Sequence, residues 1–193
     1  NLGVAWLRQN LTIMDLRTRA FALYSMALAE QGDLAATQAL LPDSDQLDPF
    51  SQAALALALH KLGANNDAQA IVERLATLAQ TDDNKVFWPS ALEDGYYAHK
   101  VMASTTRTTA FVLSAFVQIT PGHALEPGIV RWLMRQRRLS GWGSTNETAF
   151  TILALTDHLQ AAQAQTTPTS YRVLLNDLEI AQGALDRDQT QLR

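Results

Sequence analysis

The apolar positions of this chain follow two kinds of helical pattern. In the first, they recur on one stripe. Ala68, Ile71, Val72, Leu75, Ala76 and Ala79 step i, i+3, i+4, i+7, i+8 and i+11, which predicts an amphipathic helix over 67–79. Leu2 to Leu11 reads as the end of another such helix. Ile129, Val130, Leu133 and Met134 mark the apolar face of a third, and Pro127 suits its first turn. In the second kind, apolar residues occupy nearly every side. These segments are Arg17 to Gln31, Phe50 to Leu62, Thr106 to Thr120 and the run from Ala149 to Leu155. A striped helix faces solvent along its polar side, whereas a helix apolar all round must be covered on most sides. An inner row of covered helices inside an outer row of striped ones satisfies both patterns. The expected fold is therefore all-α: a partial α/α toroid of terpenoid-cyclase-like architecture, with alternating inner and outer helices. Phe21, Leu57, Phe111 and Phe150 should be buried on neighbouring inner helices.

The polar punctuation sets the boundaries. Asp48-Pro49 reads as an N-cap followed by an N1 proline, and Gly63 as the stop of the helix that follows. Gly32 is expected to stop the helix before it. Asp33 to Leu41 reads as a short helix ended by Pro42. Thr81 to Ala103, with Phe87-Trp88-Pro89, Asp94-Gly95 and Tyr96-Tyr97, breaks the helical pattern and reads as a long loop or a short hairpin. Gly141-Trp142-Gly143 is a tight turn around an indole. Ser144-Thr145-Asn146-Glu147 is a capping box with Ser144 at N-cap and Glu147 at N3.

The segment from Trp132 to Leu155 also has weaker copies. Val4-Ala5-Trp6-Leu7 echoes Val130-Arg131-Trp132-Leu133, and Ala20-Phe21, Ala110-Phe111 and Ala149-Phe150 echo one another, with Ala53 to Leu57 as a looser fourth. Their unequal separations point to a repeat architecture without a strict solenoid period. After Ala164 the character changes. Gln165-Thr166-Thr167-Pro168 is a breaker. Tyr171 to Leu175 and Leu178 to Ala181 read as two strands joined by a turn at Asn176-Asp177. The expected organisation is a helical domain over 1–164, then a linker and a β-strand piece of a neighbouring domain over 165–193.

Composition narrows the chemistry. Hydrophobic residues make up 47% of 193, enough for a sizeable core, and the net charge of −4 gives no electrostatic reason to expect nucleic acid. The chain has no cysteine, so disulfides, thiolate metal sites and a cysteine nucleophile are excluded within it. No apolar run approaches the ~18 residues of a membrane span, and no signal peptide is expected within these 193 residues. The chain opens at Asn1 already in a helical pattern and is expected to be a piece of a longer protein, with targeting segments upstream.

His60, His99, His123 and His158 are scattered and form no His-x-x-x-His pair; His60 and His158 are expected at helix C-terminal ends, where the dipole favours them. Asp43-Ser44-Asp45, Asp82-Asp83 and Asp186-Arg187-Asp188 read as solvated loop acids rather than Mg²⁺ ligands. Arg131, Arg135, Arg137 and Arg138 read as the solvated face of an outer helix. Phe87, Trp88, Tyr96 and Tyr97 read as a set that pins a long loop, with a ligand groove as the alternative. No phosphate loop or serine nucleophile motif occurs. No catalytic, cofactor-binding or metal residue is assigned, and no cofactor is expected.

Three segments together carry a resemblance: TTRTTAFVLSAF (Thr105 to Phe116), IVRWLMRQ (Ile129 to Gln136) and GWGSTNETAFTILAL (Gly141 to Leu155). Their order and spacing resemble the C-terminal half of the thioester-containing domain of α2-macroglobulins and complement proteins. Trp142 fills the aromatic place of that family's loop motif, Ser144-Thr145 and Glu147-Thr148 match it, Asn146 stands for a Gln, and Ser140-Gly141 stands for a glycine pair. The resemblance implies a toroid within a protease-trapping inhibitor acting by bait cleavage and entrapment. Proteases would be its partners through the full-length protein, and a β-sandwich domain of the same chain would adjoin it. It implies no direct membrane contact by this segment. The alanine-rich, lysine-poor style resembles the bacterial branch, which implies a periplasmic location with anchoring through an upstream segment. The family's reactive centre is a Cys–Gln thioester in a C-x-E-Q motif; with no cysteine here, no functional residue of the family transfers to this chain. Two other classes fit the pattern. Gln136 with Gly141-Trp142 resembles the QW repeats of terpenoid cyclases and prenyltransferase β subunits, which need an aspartate-rich or zinc site. Leu62 to Ala68 resembles a tetratricopeptide scaffold.

Overall fold

The computed structural model describes residues 2–90, 103–139, 141–165, 169–176 and 178–185. The described elements are all-α, with two short hairpins. The helices are α1 (Leu2–Asn10), α2 (Leu16–Leu28), α3 (Leu34–Gln38), α4 (Pro49–Lys61), α5 (Asn65–Thr77), α6 (Thr105–Ile119), α7 (Glu126–Gln136) and α8 (Thr145–Gln165). The first hairpin is β1 (Gln80–Asp82) with β2 (Lys85–Phe87), and the second is β3 (Thr169–Leu175) with β4 (Leu178–Leu185), both antiparallel. Two compact units result, Asn1–His158 and Leu159–Arg193.

Local chemistry accounts for the boundaries. The Asp48 carboxylate accepts the backbone N–H groups of Phe50 and Ser51 and caps α4, with Pro49 in its first turn. Gly63 closes α4 at φ 84°, and Ala64 N–H reaches back to the Leu59 carbonyl in a Schellman closure. Asp15 caps α2, Asp33 caps α3 and Ser104 caps α6 in the same way. At Gly141 the turn needs φ 138°, and a β-carbon there would meet Thr148 Oγ1 at 2.7 Å.

Two expected stops are corrected. Helix α2 ends at Leu28 and is closed at Glu30, not Gly32: Glu30 takes φ 57°, its N–H donates to the Ala27 carbonyl and Gln31 N–H donates to the Met26 carbonyl. Hydrogen bonds outweigh the modest αL cost at a non-glycine residue. Gly32 instead permits close packing, since a β-carbon there would lie 2.6 Å from Leu62 Cδ2. Pro42 does not end a helix. It lies in the first turn of a 3₁₀ helix, Leu41–Gln46, a place where the missing N–H is harmless.

Within the first unit α2, α4 and α6 pack side by side, α5 covers α4 and α6, and α7 covers α6 and β2. That is the expected inner and outer alternation. Every residue of α4 from Phe50 to Leu59 is buried, as is every residue of α6 from Thr108 to Val117. The striped helix α5 buries Ala68, Ile71, Val72 and Leu75. Trp88, fully buried, ties the rows together: its indole N–H donates to the Leu75 carbonyl at 2.8 Å, and its backbone N–H donates to Thr109 Oγ1 at 3.1 Å.

Three burial expectations are corrected. Leu57 and Phe111 are buried, but Phe21 remains 38% exposed and Phe150 is half-buried. Both rings join the central cluster at its margin, where no described helix covers their outer side. Helix α8 is not buried all round: Thr151 and Ala154 face inward, while Ile152 and Leu153 are exposed. The stripe of α7 is rotated, with Ile129, Trp132 and Leu133 buried and Met134 exposed. The cause is hairpin β1–β2, whose Phe87 ring stacks on Trp132 at 5.3 Å and 14°.

In the second unit, the strand pair and the tight turn at Asn176 match the expectation, with a register shift between Val173 and Leu174. The breaker at Thr166 to Pro168, the pair Tyr96-Tyr97 with Asp94-Gly95, His99 and the acids Asp186 and Asp188 lie outside the described residues.

Candidate functional site

The inner helices converge at their N-terminal ends. Phe21 of α2, Phe50 of α4, Phe111 of α6 and Phe150 of α8 all lie in the first two turns of their helices, and their rings meet. Phe50 and Phe111 are 4.7 Å apart, Phe21 and Phe50 5.6 Å, Phe111 and Phe150 5.3 Å, and Phe50 and Phe150 5.7 Å. Tyr24 adds an edge contact to Phe111 at 5.2 Å. Burial raises the Tyr24 hydroxyl above its ordinary range, with the negative charge of Asp157 adding to the effect. The four helices bring their N-terminal N–H groups to this end, and each group of donors is answered by a side chain from its own cap.

Charge at this end is balanced locally. The Arg107 guanidinium lies 4.2 Å from the Phe50 ring centroid, a cation–π placement. Desolvation lowers its pKa, and the carboxylates of Asp48 and Glu147 oppose that shift. Asp48 also pairs with Arg17 at 3.2 Å. The result is an aromatic basin rimmed by paired charges. Its chemistry is exclusion of water and packing against an apolar surface.

The loop at Trp142 abuts the same end of α8. Ser144 N–H donates to Glu147 Oε2 at 2.6 Å and Glu147 N–H donates to Ser144 Oγ at 3.2 Å, the reciprocal pair expected of the capping box. Trp142 is buried, and its indole N–H donates to the Leu133 carbonyl at 2.6 Å. Thr148 Oγ1 accepts from Trp142 N–H and donates to the Trp142 carbonyl. The indole thus satisfies an orphan carbonyl near the C-terminal end of α7 and fixes where α8 begins.

The other candidates are placed as follows. His60 is partly buried near the end of α4. His123 lies in the α6–α7 turn, where its ring packs on Phe116 at 4.7 Å and its Nδ1 accepts from Leu125 N–H. His158 is not at a helix C-terminal end, because α8 continues to Gln165; its Nδ1 lies 2.9 Å from Glu126 Oε2. Glu126 is buried, and its other oxygen accepts from the N–H groups of Gly122 and His123. This pairing joins α7 to α8, and sequence reasoning missed it. The only signal was an acid at the first helical position, which ordinarily indicates capping alone. Asp43 and Asp45 lie on the 3₁₀ turn, and Asp82 pairs with Lys85. Arg131, Arg135, Arg137 and Arg138 are exposed on or just past α7. Phe87 and Trp88 are packed into the helical rows as described. Among the described residues no three His, Cys, Asp or Glu side chains are grouped to hold a metal ion.

The order of these parts decides the family: an inner helix with the Thr109-Ala110-Phe111 start, an outer Trp132 helix, then the Trp142 turn and its capping box. Residues 11–158 match the family model of the A-macroglobulin TED domain. The chain belongs to that family. The TED match covers the inner row, the outer helices α5 and α7 and the Trp142 loop, and it ends at the residue where the first compact unit ends. No helix among the described residues is long and apolar enough to cross a membrane.

Proposed function

We propose that this TED domain works within a protease-trapping inhibitor of the α2-macroglobulin type, broad in target, in which cleavage of a bait segment triggers entrapment of the attacking protease. The observation that carries the reading is the family match over residues 11–158. The domain's part in it is structural rather than enzymatic. Its aromatic basin, from Phe21 to Phe150, supplies a water-excluding surface of the kind an acyl bond needs to survive hydrolysis. The chain has no cysteine, so the sulfur of a thioester is not among its own groups. A bacterial, periplasmic setting with an adjoining β-sandwich completes the reading; its support is the composition and the strand pair at 169–185.

The test uses the full-length parent. Pre-incubated with an endopeptidase, it should slow cleavage of a large protein substrate. The 193-residue chain alone should neither do so nor gain mass with methylamine. A parent that leaves proteases unhindered, or that turns over an isoprenoid diphosphate, would reject the proposal.

A further inference from the structure

The outer faces of α5 and α7 differ in kind. On α5 the exposed positions Asn66, Gln69, Glu73 and Thr77 carry one acid, and Gln69 Nε2 donates to it at 2.9 Å. That is an ordinary solvated face. On α7, Arg131, Met134 and Arg135 step i, i+3 and i+4, opposite the buried Ile129, Trp132 and Leu133, and Arg138 follows two residues past the end of the helix. All four are exposed, as is Arg137. Among the described residues no carboxylate pairs with any of these arginines. The single acid of α7, Glu126, is buried and committed to Gly122, His123 and His158. The nearby acid Asp82 is paired with Lys85 at 3.3 Å. Arg131 is held in place by its Nε, which donates to the Asn84 carbonyl at 2.9 Å. A stripe of one sign thus stands on a chain whose net charge is −4.

The stripe also has apolar company. Met134 is 46% exposed, and Leu139 is fully exposed on a turn closed by the Arg138–Gly141 bridge. Past the turn, Arg138, Trp142, Ser144 and Thr148 line a depression. The Glu147 carboxylate beside it is engaged by Ser144 N–H.

We propose that the outer face of α7 and the turn after it form a docking surface for an acidic segment of another protein. Guanidinium groups pair bidentately with carboxylates, and Arg and Met are enriched where proteins meet. One helical turn separates Arg131 from Arg135 by about 6 Å along the axis, which suits carboxylates repeating at that spacing on one helical face. The apolar neighbours suit an aliphatic side chain set among those acids. A lipid surface fits less well, because a helix lying in a membrane presents a broad apolar face. Nucleic acid fits less well too, because among the described residues no exposed aromatic ring stands beside the arginines to stack a base.

The test uses the whole chain and a labelled helical peptide of Glu with interspersed Leu, followed by fluorescence anisotropy. Binding is expected, and replacing Glu by Gln in the peptide should abolish it. The double variant Arg135→Glu, Arg138→Glu should weaken binding by on the order of tenfold. The control Arg8→Glu, Lys61→Glu, with the same charge change on other exposed sites, should stay within about twofold, since exposed charges beyond a Debye length are screened. Leu139→Ser should weaken binding even at high salt. All variants are on the surface, and an unchanged melting temperature verifies their fold. Equal losses in the stripe variant and the control would overturn the proposal. So would tighter binding to phosphatidylglycerol vesicles or to single-stranded DNA than to the peptide.

Discussion

The run Ala149 to Leu155 of α8 is as apolar as the middle of α4, and the two have opposite fates. In α4, ten consecutive residues from Phe50 to Leu59 are buried, because α2, α5 and α6 all lie against it. In α8, Thr151 and Ala154 are buried while Ile152 and Leu153 stand 51% and 64% exposed. Its first turns are held through the Phe150 ring contacts and the Trp142 loop, and its middle through the pairs Gln118–Asp157 and Glu126–His158. An all-round apolar pattern records how many sides a helix can bury, not how many neighbours it meets. The difference follows from packing, and it separates residues that carry stability from residues of the same type that do not.

The largest expected effect tests how α8 is held. Trp142→Ala removes a buried ring and the donor to the Leu133 carbonyl, and should cost about 3–5 kcal/mol. An unchanged urea midpoint would mean that α8 is held by other contacts. Next comes a matched pair. Leu57→Ala in α4, at 2% exposure, should cost about 2–5 kcal/mol, whereas Leu153→Ala in α8 should stay within about 0.5 kcal/mol. Equal losses would erase the distinction between the two helices.

How far this was legible differs between the helices. The start of α4 could be read from Asp48-Pro49 and its end from Gly63, and the start of α8 from Ser144 and Glu147, because caps are local chemistry. The stripe of α5 was legible because its period is intrinsic to the helix. The exposure of Phe21, Ile152 and Leu153 was not, since it depends on which neighbours are present. Nor was the rotation of α7, which a distant ring, Phe87, imposes on Trp132. The aromatic basin was half legible: the repeated Ala-Phe pairs were visible, but that all four rings meet at one end follows only from the parallel course of the inner helices. The Glu126–His158 contact spans 32 positions and had no local mark.

Smaller effects sharpen the comparison at the caps. Asp48→Ala should cost about 1 kcal/mol, with somewhat more if the Arg17 pair is felt, and thermal denaturation would read it. The smallest effect is a pH dependence at α2. The Asp15 carboxylate is held below its ordinary range, first by the hydrogen bond from the Thr18 hydroxyl and then by Thr18 N–H. A folded-state pKa below the unfolded one contributes stability above about pH 4, and this is lost as the pH falls through the folded value. Asp15→Asn keeps a capping side chain without the charge. The native chain's advantage over it at neutral pH should therefore shrink in acid, as urea midpoints would show.

Native-state hydrogen exchange across the chain tests most directly the claim that neighbours, not apolar content, set burial. The amides of α4 from Leu55 to Leu59 should exchange only through global unfolding. Those of α8 beyond His158 should exchange through local opening, at least about tenfold faster. Equal protection in the two helices would contradict the account.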